Sequence, residues 1–153
     1  MSELIKIGCS VADVYHRYQE IHKTLFGTSY LRRFMDVLRG NRLVYGKHLD
    51  SLQQFQVELA TLEQQIADPN RVTLTTGADR ELRNALSGYT RALAKSVEEL
   101  RVICSGLEQD EVAYRKLGED GRSRFTADKL IYDQRLLELE RLGTRLEKLF
   151  SNY

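Results

Sequence analysis

The residues of this chain whose types and placing best suit binding chemistry are His22 and His48. Each falls near the centre of an apolar helical arc, where a titratable ring is costly unless it finds a partner. Tyrosines flank both, Tyr15 and Tyr18 beside His22 and Tyr45 beside His48. If the helices that carry them pack together, the five side chains meet in a polar pocket suited to a small molecule or cofactor. A metal centre is not expected, because it needs three or four ligands and the only acid near either apolar face is Glu63.

Established catalytic patterns are not met. No Glu is followed by His at the third position, as a di-iron bundle requires. In phosphotransfer bundles a reactive histidine is set in His-x-x-Lys-Gly, but here Lys23 follows His22 directly and Gly27 comes one residue late. Neither a Gly-x-Ser-x-Gly turn nor a Gly-rich phosphate loop ending in Lys-Ser/Thr occurs. Acid pairs such as Glu98-Glu99 and Asp110-Glu111 are adjacent, so on a helix they diverge by about 100° and read as solvated surface. The expectation is a protein that is not an enzyme and needs no cofactor.

A second cluster is basic and aromatic: Arg32, Arg33, Arg39, Arg42 and Lys47 are interleaved with Tyr30, Phe34 and Tyr45. Such a patch can grip phosphates and stack bases, and it equally suits protein docking, where Arg and Tyr are favoured. The whole chain offers little help to nucleic acid, since 23 Lys and Arg balance 22 Asp and Glu and leave no long-range field. Nucleic-acid binding is therefore the weaker reading of the patch.

The remaining composition belongs to a protein with an ordinary core. At 42% apolar and 29% charged, the 153 residues carry enough hydrophobic surface for one domain without metal or disulfide staples. Cys9 and Cys104 lie far apart and outside any Cys-x-x-Cys, which fits a reducing cytoplasm. No apolar run approaches the roughly 18 residues of a membrane span, and the first residues lack an apolar leader core.

Helices must position these groups. The chain has one proline, Pro69, and apolar residues recur at three- and four-residue spacing on either side of it. Residues 1–9 read as a short apolar arm, with Ser10 and Asp13 marking the first helix start. Val11, Val14, Tyr15, Tyr18, Ile21, His22, Leu25 and Phe26 then share an arc of about 140°. The spacing predicts helices over 10–39, broken near 27–29, then 42–67, 79–117 and 122–150, with 68–78 as the inter-helix loop. Extrapolated winding carries the third stripe past Ser105-Gly106 to Tyr114, and Gly118 and Gly121 fall on the buried side if the helices run on. In the last helix Leu136, Leu139, Leu146 and Phe150 occupy heptad positions, with Gly143 in the remaining one.

Leu130 and Leu137 lie on the far side of that helix, and a helix apolar on two sides needs two neighbours or a partner chain. The fold expected is all-α: one elongated antiparallel bundle of four main helices with coiled-coil-like packing. The function expected is a cytoplasmic, non-enzymatic interaction module, an adaptor, chaperone-like or assembly protein. It would engage a protein partner or a second copy through Leu130, Leu137 and Arg32, Arg33, Arg39 and Arg42. The alternatives are a sensor bundle with a pocket lined by His22, His48, Tyr15, Tyr18 and Tyr45, and weak nucleic-acid or anion binding by the basic patch.

Overall fold

A computed structural model describes residues 2–26 and 44–152. Among them the chain forms four helices and no strand: α1 (Glu3–Phe26), α2 (Val44–Ala67), α3 (Gly77–Arg115) and α4 (Arg124–Ser151). Arg32, Arg33, Arg39 and Arg42, and the expected break near 27–29, lie outside the described residues.

The helices run up and down as a bundle. Arg17 of α1 meets Glu58 of α2 at 3.0 Å, the Cys104 thiol of α3 donates to the Tyr45 carbonyl of α2 at 3.4 Å, and Tyr114 of α3 donates to Asp128 of α4. Along α2 and α3 the pairs Tyr45–Cys104, Gln56–Glu98 and Glu63–Arg91, and along α3 and α4 the pairs Tyr114–Asp128 and Tyr89–Gly143, set rising numbers against falling ones, so these successive helices are antiparallel. Leu4, Ile7, Val11, Val14, Tyr18, Ile21 and Leu25 of α1 close the core against Leu52, Leu59 and Ile66 of α2 and the long stripe of α3 from Leu82 to Leu107. No Cα atom of α1 comes within 8 Å of one in α4, and only side chains bridge that pair.

The first helix starts seven residues earlier than the Ser10 signal implies. Leu4 and Ile7 extend the apolar spacing backwards, Ser2 accepts the Ile5 amide, and the Ser10 hydroxyl turns back to the Lys6 carbonyl at 3.3 Å. Gly8 does not end an arm; the Phe150 ring of α4 sits over it, only 2.7 Å from where a Cβ would stand. The loop is likewise two residues shorter than expected and spans 68–76. Thr76 caps α3 by accepting the Asp79 amide at 3.1 Å, and the Asp79 carboxylate returns to the Thr75 and Thr76 amides at 3.0 and 3.1 Å. These bonds, those to Thr75 first, hold the Asp79 carboxyl below its ordinary range.

Tyr114 is buried, as its stripe suggests, but not by continued winding. The backbone leaves helical geometry at Asp110 (φ −161°, ψ 92°), whose carboxylate then caps a final turn by accepting the Ala113 amide at 3.0 Å. This kink folds the Tyr114 ring back onto Gly106, so the stripe runs past Ser105-Gly106 as expected, but the winding breaks at Asp110, before the expected helix end at 117. Gly118 and Gly121 form the turn to α4 instead of a buried helix face, Gly121 at φ 74°, where a side chain would be strained. Ser123 caps α4 through the Thr126 amide at 3.0 Å.

A methyl group at position 106 would stand 2.3–2.6 Å from the Tyr114 ring. Gly106→Ala is expected to lower unfolding stability by about 1–3 kcal/mol, while Gly88→Ala, which meets open space, gains or keeps stability. Chemical denaturation of both variants checks the contrast.

Candidate functional site

The polar cluster that the fold assembles is centred on the α1–α4 seam. On α1 the spacing Tyr15, Tyr18, His22, Phe26 puts four rings along one side within three turns. From α4 Tyr132 enters between them, so the wide gap between these two helices is filled by aromatic side chains. Tyr18 and Tyr132 are both 0% exposed, and their hydroxyls hydrogen-bond each other. The Tyr132 hydroxyl also bonds His22 Nδ1 at 2.8 Å, with the two rings stacked at 5.7 Å. Phe26 covers His22 and Tyr132 at 5.3 and 5.7 Å. Lys129 Nζ lies 4.7 Å from the Phe26 ring centre and pairs with Asp133 at 2.5 Å.

Counting protons orders the chain. Tyr18 is fully buried, so its hydroxyl hydrogen needs an acceptor, and the Tyr132 oxygen is the one in place. Tyr132 then donates to His22 Nδ1, which leaves the imidazole neutral with its proton on Nε2. Every bond in the direction Tyr18 to Tyr132 to His22 is satisfied, whereas the reverse direction strands the Tyr18 hydrogen.

The surroundings favour the same neutral state. Burial pushes the Tyr132 and Tyr18 phenols well above their ordinary value, with the neighbouring tyrosine adding to the rise at Tyr132. Burial first, then the Lys129 charge, lowers the His22 imidazole below its usual value, with Asp133 opposing. At neutral pH the Tyr18–Tyr132–His22 chain carries no charge. Its hydroxyls and Nδ1 are occupied by one another, and its chemistry is that of a helix-to-helix tether.

The sequence expectation of one pocket containing two histidines is only half met. Tyr15 joins the cluster through ring contacts to Tyr18 at 6.3 Å and to Tyr89 of α3 at 6.4 Å. His48 makes no hydrogen bond or ring contact to it. That residue is half-buried on α2, its Nε2 without a hydrogen-bond partner among the described residues, and burial lowers its imidazole. Tyr45 lies near Cys104 instead, whose thiol burial and then Glu108 push up to about 12, leaving it an inert donor. The expected acid Glu63 pairs with Arg91. Tyr132, Phe26 and Lys129 are the members that periodicity alone did not assign to the site. Among the described residues no group of three His, Cys, Asp or Glu side chains could hold a metal ion.

Two clefts open elsewhere. One of about 590 Å³ lies between the start of α1, the 68–76 loop and the first turn of α3, where Asp79 already fills the α3 N-terminus with its own carboxylate. The other, about 520 Å³, runs between α1 and α2 past Cys9, Asp13, Arg17, Val57 and Glu58. Leu130 and Leu137 are on the opposite side of α4 from Tyr132, 56% and 68% exposed, with Ile131 beside them at 41%.

The proton order has a measurable consequence. Tyr132→Phe leaves the Tyr18 donor and the His22 acceptor unpaired and is expected to cost about 1–3 kcal/mol of stability. Tyr18→Phe removes only the first donor and should cost clearly less. Denaturant unfolding of the two variants decides, and an equal or inverted ranking contradicts the assigned direction. No family model matches this chain, and no curated protein or solved structure matches it either, so the residues themselves carry the functional reading.

Proposed function

We propose that this protein is a non-enzymatic interaction module that offers the outer face of α4 to a protein partner. The observation that carries the reading is Leu130 and Leu137, two turns apart and largely exposed on a helix whose other side is already buried. The polar cluster supports it indirectly, since its hydrogen-bonding atoms are spent within the protein and favour no ligand. Two cysteines without a disulfide, Cys9 exposed and Cys104 buried, fit work in the cytoplasm. No described helix is long and apolar enough to cross a membrane.

The charges beside the leucines describe the partner. With residues wound at about 100° each, Asp133, Glu140 and Glu147 form one flank at seven-residue spacing, Lys148 falls in line with Leu130, and Arg141 and Arg145 lie toward the other flank. All six are exposed. A second copy docked antiparallel would set the acidic flanks against each other, and one docked parallel would set Arg141 and Lys148 against their own images. A different amphipathic helix, with its basic and acidic flanks reversed, meets neither conflict. Self-association remains the outcome that the test must separate.

A photo-crosslinking group at Gln134 is expected to capture a discrete partner protein, distinct from a second copy by mass, while one at Glu20 on α1 captures none. Leu130→Glu with Leu137→Glu should weaken that complex about a hundredfold or more, the worth of two buried leucines, with helical circular dichroism unchanged. Crosslinks that survive the double change exclude this face, and a product of twice the chain mass reassigns it to self-pairing.

A further inference from the structure

We infer that the Tyr18–Tyr132–His22 chain is an acid-sensitive clasp: a proton taken up by His22 breaks the hydrogen-bond order and releases the C-terminal half of α1 from α4.

The geometry makes this specific. In the neutral state Nδ1 of His22 is the terminal acceptor of a chain that begins at a fully buried hydroxyl. A protonated imidazole carries hydrogen on both nitrogens, so Nδ1 becomes a donor. Tyr132 must then turn its own hydrogen toward Tyr18, and two hydroxyl hydrogens compete for one short contact with no further acceptor in the cluster. The charged groups that bear on the ring among the described residues are both on α4: Lys129, which opposes the new charge, and Asp133, which favours it but is already engaged by Lys129. The lowered imidazole value expresses the same balance.

The seam is also the one place where such a change moves a helix. No Cα pair of α1 and α4 lies within 8 Å, so this stretch of α1 is attached to α4 through side chains alone. At the other end of α1, Phe150 seated on Gly8 holds independently of pH. Arg17, paired with Glu58 and lying 5.1 Å over Phe55, keeps the middle of α1 on α2. Release is therefore local to the last two turns.

The sign follows from the direction of the shift. The folded state binds the His22 proton more weakly than the unfolded chain, so the clasp contributes fully above about pH 6.5. It is lost as pH falls from there through the folded value, below which the loss levels off.

Hydrogen exchange of the full chain between about pH 7.5 and 5, corrected for intrinsic rates, tests this. The amides of residues 18–26 should lose protection by up to about tenfold per pH unit inside that window, while those of α3, which carries no histidine, hold. His22→Gln, which keeps an acceptor but cannot take the proton, should flatten the α1 response, and His48→Gln should not. Lys129→Gln removes the opposing charge, brings the folded His22 value closer to the unfolded one, and should shrink the loss of protection, which then levels off at a higher pH. Because a variant can fail to fold, the wild-type His22 ring is also titrated by NMR. A ring value at or above that of free imidazole, equal loss of protection in all helices, or an unchanged α1 response in His22→Gln overturns the clasp.

Discussion

A hydroxyl with no exposure must have a partner, and in this bundle that requirement sets where α1 stands. Tyr18 is the most enclosed polar group of α1, and its partner is neither backbone nor a charged side chain but another enclosed phenol. Leaving either oxygen unpaired costs about 1–3 kcal/mol, comparable to burying a large aliphatic side chain. Aliphatic packing lets helices slide and rotate at small cost, whereas a chain of three hydrogen-bonding atoms permits one register. The α1–α4 distance follows from it, since two facing tyrosines hold their helices further apart than two leucines would.

At three places an aromatic ring is set on a glycine. Phe150 covers Gly8 at one end of the bundle, Tyr114 covers Gly106 at the kinked end of α3, and Tyr89 packs 3.2 Å from the missing Cβ of Gly143. Each arrangement lets a bulky side chain fill a groove without forcing the helices apart. It also explains why tyrosine can serve as a major core residue here in the absence of tryptophan. The ring supplies area, and the hydroxyl reaches a partner such as Asp128 for Tyr114 or Tyr132 for Tyr18.

Periodicity made the helices legible because burial on one face is a local property of the chain. The stripes of α2, α3 and α4 read directly from leucine spacing, and Leu130 and Leu137 stood out for violating theirs. Glycine misled in both directions. Gly8 resembled a boundary and is a seat for Phe150, while Gly118 and Gly121 resembled buried positions and form a turn. A glycine reports that a side chain is unwelcome without saying whether a ring or a turn is the cause. The kink at Asp110 was hidden for a related reason: an aspartate at a helix start and one on a solvated helix face look the same until the backbone is seen. The candidate site was legible as a set of rings on α1, but its pairing was not. Tyr132 lies 114 residues from Tyr18, and no local pattern fixes the register between helices that far apart.

In the proposed scheme the two sides of α4 have separate tasks, and the packing keeps those sides apart. Its inner side carries Tyr132, and two residues earlier its outer side carries Leu130. One rigid helix joining a pH-dependent contact to a docking face would couple the two if α4 itself moved. It is instead the last two turns of α1 that the clasp would release. Helix α4 packs closely along α3, with Leu139 and Leu146 in the core and Tyr114 donating to Asp128 near its start. On the α1 side it has no comparable backbone approach. Opening the clasp therefore displaces the partner with fewer anchors, and the outer leucines keep their position whatever the state of His22. Acid exposes a new surface at the end of α1 without withdrawing the one that α4 presents.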